Sequence, residues 1–105
     1  MTITTQVIGN TVVGNVVYTS GGNTAITWLS LNNWGPSNVT ANMFVVPSGD
    51  TATTSNQILY ALSLTSGDTY QLYSAGEKLL LGPGDFVQVI ATANTVTAVT
   101  SYTSI

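Results

Sequence analysis

The chain has 105 residues, of which only Asp50, Asp68, Glu77, Lys78 and Asp85 carry a formal charge; it has no histidine and no cysteine, and its net charge is −3. A soluble domain usually gives about a quarter of its positions to charged residues, so general acid-base, nucleophilic and metal-assisted catalysis lack their usual side chains and an enzyme is not expected. The same scarcity offers no basic footprint for nucleic acid or anionic lipid, while a 44% hydrophobic fraction and a mean hydropathy of +0.33 exclude ordinary intrinsic disorder.

The length suits one domain, 1–105. Residues 1–6 lack the basic start and apolar run of a secretory signal, so the expectation is a product of cytoplasmic synthesis. No apolar stretch approaches the roughly 20 residues that cross a bilayer as a helix. Strands are expected at 3–8 and 12–18, where β-branched residues cluster between Gly-Asn pairs. At 25–31 apolar side chains fall on both parities, Ala25, Leu29 and Leu31 against Ile26 and Trp28, which reads as a central strand covered on both faces. Val39, Ala41, Met43 and Val45 alternate with Thr40, Asn42 and Phe44, giving an inward face that ends at Pro47, where a ladder donor is lost. Further strands are expected at 57–64, 69–73 and 78–81. Val87, Val89 and Ala91 alternate with Phe86, Gln88 and Ile90, and Val96, Ala98, Thr100 and Tyr102 give a weaker final strand.

Gly-Asn, Gly-Gly, Gly-Pro and Gly-Asp pairs punctuate these runs. About eight short strands and no helical crossover predict an all-β chain, a single antiparallel β-sandwich or jelly-roll-like domain. Gly-Asp occurs at 49–50, 67–68 and 84–85, and converging carboxylates can hold calcium. The near-equal spacing of the three pairs matches a hairpin period instead, so each Asp is expected to close its own turn while Gly supplies positive φ, and no metal or cofactor is assigned. Asn38-Val39-Thr40 is formally a glycosylation acceptor, but without a secretory signal it reads as a strand start.

Trp34, beside Asn32 and Asn33 and before Gly35-Pro36, is the best candidate for an exposed recognition aromatic. A packing role, in the core or against another subunit, is favoured over stacking on a sugar, and a core position would make Trp34→Ala cost about 3 to 5 kcal/mol. Tyr60, Tyr70, Tyr73 and Tyr102 are the other candidate interface anchors. Low charge and the absence of disulfides favour self-association, as a trimer or another cyclic oligomer.

The run Asn-Val-Thr-Ala-Asn-Met-Phe-Val-Val-Pro-Ser-Gly at 38–49, the order of elements through 62–89 and the ending Thr97-Ala98-Val99-Thr100-Ser101-Tyr102 resemble small virion proteins of tailed bacteriophages, including phages of cyanobacteria. The resemblance implies a small all-β accessory protein present in many copies on the capsid, or on the neck and tail. The expected function is therefore a decoration (cement) protein bound to major capsid or neck/tail proteins of the virion. The alternative from another class is a glycan-binding host-recognition module of a tail or fibre.

Overall fold

The computed structural model describes residues 2–8, 15–72 and 78–105. Among them are nine strands, one more than the expected eight: β1 (Thr2–Ile8), β2 (Asn15–Thr19), β3 (Thr24–Asn33), β4 (Val39–Val46), β5 (Gln57–Leu64), β6 (Thr69–Leu72), β7 (Leu79–Leu81), β8 (Phe86–Ala91) and β9 (Val96–Ser104). They form two antiparallel sheets packed face to face. The first runs β1-β9-β3-β6 with β7 also paired to β3; the second runs β2-β8-β4-β5. With β7 set aside, the pairs β1·β9, β2·β8, β3·β6 and β4·β5 are nested like one long hairpin rolled up, and that nesting is the jelly roll.

The core lies between the sheets. Ile26, Leu29 and Leu31 of β3 meet Met43 of β4 and Val87 and Val89 of β8, all fully buried; burying a side chain of this kind stabilises the fold by about 1.5 to 3 kcal/mol. The two-sided cover expected of β3 holds at Ala25 and Ser30, buried on the outer face, but its mixed parity has a further cause. Ile26 pairs with Tyr102 and Trp28 with Ser101, so Thr27 is an extra residue opposite β9. This β-bulge shifts the parity by one, letting Ile26 and Leu29 face the same core while Trp28 turns to the outer face.

Strand β9 is longer and more central than its sequence pattern suggests. Its alternation is weak in the sequence because Thr100 counts as polar, yet β9 is nine residues long and sits between β1 and β3. Val96, Ala98 and Thr100 are fully buried, the last without a hydrogen-bond partner for its hydroxyl among the described residues. Tyr102 tilts against Tyr18 with ring centroids 4.2 Å apart. On β4 the expected inward face holds at Val39, Ala41 and Met43, but Phe44 and Val46 on the reverse face are buried as well. The loop after Pro47 returns to this strand, where Val45 N–H donates to Asn56 O at 2.9 Å.

The Gly-Asp pairs end three separate turns, as the spacing suggested. Gly49, Gly67 and Gly84 have φ of 86°, 84° and 83°. Asp50, Asp68 and Asp85 each donate their N–H three residues back, to the Pro47, Thr65 and Gly82 carbonyls. A positive φ at the third position is the type II requirement that glycine meets without strain. The Asp85 carboxylate also accepts from Ser48 N and Gly82 N, both at 2.8 Å, tying the β7–β8 turn to the loop after β4.

Candidate interaction surface

One end of the sandwich is organised by Asn33, the last residue of β3. Its side chain is fully buried and uses its whole hydrogen-bonding capacity. Nδ2 donates to Ser37 O (2.8 Å) and Leu64 O (3.0 Å), and Oδ1 accepts from Gly35 N (3.1 Å) and Thr95 Oγ1 (3.0 Å). Its backbone joins the β5–β6 turn, with Asn33 N donating to Asp68 O and Gly67 N to Asn33 O. One amide thus ties β3, β5, the loop after β3 and the β8–β9 turn together. Gly35 must be glycine here, because a Cβ would stand 2.6 Å from Thr95 Cβ.

The knot presents Trp34. Its N–H donates to Thr95 O at 3.0 Å and its indole Nε1 to Thr97 Oγ1 at 2.9 Å, which lays the ring against the outer face of the first sheet with 57% of the residue exposed. Trp34 is therefore not a core side chain, which corrects the core half of the packing role expected of it and leaves the intersubunit half open: the following Gly-Pro turn holds the residue outward.

The strands of the first sheet, β1, β9, β3, β6 and β7, contain no charged residue. Ile3, Ser101 and Trp28 form one cross-strand row of the outer face; Val7, Thr97, Asn32 and Thr69 form another, with Asn32 Nδ2 donating to Thr69 Oγ1 at 2.9 Å. Ile3, Val7, Trp34 and Leu80 are the large apolar residues most open to water there. No family model, curated protein or solved structure matches this chain.

The candidate anchors named from sequence do not form one patch. Tyr60 is 79% exposed on β5, at the edge of the second sheet, whereas Tyr70 and Tyr102 pack their rings against the core. Tyr73 lies outside the described residues. Sequence reasoning passed over Trp28, Ile3, Val7 and Leu80. Three of these were open to inspection: Ile3 and Val7 share a parity opposed to Ile8, and Leu80 sits mid-run in a leucine triplet whose neighbours must face the other way. Trp28 was not, since its orientation depends on the bulge. On the second sheet Phe44, Phe86, Gln88 and Ile90 with Asp50, Thr51 and Ala52 line an open cleft of about 320 Å³. That lining contains one carboxylate and no histidine, cysteine or lysine to work with it. Among the described residues no group of three potential metal ligands occurs.

Proposed function

We propose that this protein is a structural component of a tailed-bacteriophage virion that decorates an assembled capsid shell, or seats on the neck or tail in the same manner, in many copies. The observation that carries the reading is the charge-free outer face of the first sheet, with Trp34 rigidly mounted above it. Such a face adds apolar and neutral polar contact without the desolvation cost of buried ions, and exposed apolar side chains spread along one face of so small a domain suit an interaction site. The resemblance of the 38–49 run to small virion proteins supplies the partner. Jelly rolls serve both capsid and lectin domains, so the architecture favours neither decoration nor sugar binding by itself.

Trp34 also favours the second reading, a glycan-binding module, because a fixed, exposed indole beside the Asn32 amide can stack on a sugar ring. Cosedimentation with shells built from the capsid gene neighbouring this one separates the two. Decoration requires saturable binding to shells that Trp34→Ala and Leu80→Lys weaken together. Binding to a host polysaccharide that needs Trp34 but not Leu80, with no recovery on shells, would replace decoration by recognition.

A further inference from the structure

Among the described residues the two sheets have four edges, and three are protected. β2 carries an extra residue at Val17 that breaks its ladder with β8. β5 carries two extra residues against β4 and a positive-φ Ala61. β6 and β7 are only four and three residues long. Bulges and short strands of this kind are how sheet proteins prevent unwanted pairing.

Strand β1 has none of these devices. It is seven residues long and pairs with β9 without a register shift, and among the described residues it pairs with no other strand. Residues 2–8 contain no charge and no proline. Among the described residues no strand covers the side of β1 away from β9, which offers backbone donors and acceptors together with Ile3 at 68% and Val7 at 52% exposure; the Gln6 amide reaches the Val7 carbonyl at 3.4 Å, a long bond that a pairing strand can replace.

We infer that this edge pairs antiparallel with β1 of a second copy about a two-fold axis through Thr5, joining the first sheets of the two copies into one continuous sheet. The occupant is a second copy because the strand is self-complementary in this register. Ile3 falls opposite Val7 of the other copy on the outer face, twice by symmetry, so each exposed aliphatic residue gains an apolar cross-strand neighbour. Thr5 meets its own symmetry mate, and Thr4 meets Gln6 on the half-buried inner side, where polar side chains pair with polar. A charged strand placed here would lose hydration with no counter-charge to compensate it. The inference deepens the self-association expected from the low charge, and is independent of what the assembled protein is seated on.

Light scattering on the full chain, over a wide concentration range, tests it. The expected mass is twice the 10.9 kDa of the chain at high concentration, falling on dilution. Ile3→Lys with Val7→Lys sets like charges opposite each other twice and should raise the dimer dissociation constant at least about tenfold. Ile3→Lys with Val7→Glu sets Lys opposite Glu twice, and should restore the dimer in a salt-sensitive form. Both positions are exposed, so circular dichroism should report an unchanged fold; if the double lysine unfolds the chain, Thr5→Lys, which puts two ammonium groups on the axis, reads out the same contact. A wild-type mass that stays at the monomer value at every concentration, or a dimer retained by a folded lysine variant, overturns the pairing. Failure of the Lys/Glu variant to restore the dimer overturns this register. A dimer that behaves as described but does not bind shells leaves the pairing standing and removes the decoration function.

Discussion

Replacing Asn33 tests whether one buried amide holds this end of the sandwich. Asn33→Ala removes four hydrogen bonds, of which those to Leu64 O and Gly35 N are buried and those to Ser37 O and Thr95 Oγ1 part-buried. A buried group stripped of its partner costs about 1 to 3 kcal/mol, and one that can reach water costs less. The sum is about 3 to 5 kcal/mol, a large share of the roughly 5 to 15 kcal/mol that stabilises a domain. In urea, with a slope of about 1 to 2 kcal/mol per molar for a chain of this size, the unfolding midpoint should fall by roughly 2 to 3 M. Asn33→Asp sharpens the test, because it replaces the amide donor with an acceptor facing two carbonyl oxygens. One carboxylate oxygen keeps the Gly35 N and Thr95 Oγ1 donors, but the other is buried against the Ser37 and Leu64 carbonyl oxygens, and a proton there relieves both burial and repulsion, which raises the folded pKa of the new carboxyl above its unfolded value of about 3.9. The folded state then holds a proton that the unfolded state has released, so stability relative to the parent falls as pH rises above about 4, and the ionisation penalty vanishes below it. Urea titrations of parent and variants at pH 3.5 and pH 7 measure both effects. A loss below about 1 kcal/mol for Asn33→Ala, or no added loss for Asn33→Asp on going to pH 7, would refute the role given to this side chain.

Three further outcomes are expected. Thr100→Val should stabilise the protein by about 0.5 to 2 kcal/mol, because the Thr100 hydroxyl is buried with no partner among the described residues and valine keeps the shape; calorimetry should show the melting temperature up by several degrees. Gly84→Ala should cost about 2 to 3 kcal/mol and Gly49→Ala about 1 kcal/mol, since both glycines have positive φ but only at Gly84 would the added Cβ overlap Ser48 Oγ; denaturant midpoints of the pair separate backbone strain from overlap. Trp34→Ala should cost at most about 1.5 kcal/mol in thermal unfolding, because only the exposed ring and its bond to Thr97 are lost, while binding to shells falls by about tenfold or more as for a central interface aromatic.

The all-β class, the positions of most strands and the three Gly-Asp turns were legible in the chain because each rests on local chemistry. β-branched runs favour extended backbone, and glycine alone accepts the positive φ found at 49, 67 and 84 without strain. The near-absence of charge likewise bounds the chemistry through composition alone. What the tertiary structure decided was orientation. The bulge at Thr27 arises because β9 offers one residue fewer than β3 over the paired stretch, a mismatch between strands at opposite ends of the chain that no local pattern encodes. That mismatch sends Trp28 outward and lets Ile26 share the core with Leu29. Trp34 is exposed, which removes the core alternative of its expected packing role, because Asn33 is fastened by Ser37, Leu64 and Thr95, partners brought together only by folding. The candidate face and the open edge of β1 were illegible for the same reason: neighbours in a sheet are chosen by long-range pairing, and a side chain's exposure depends on which strands, if any, are laid beside it.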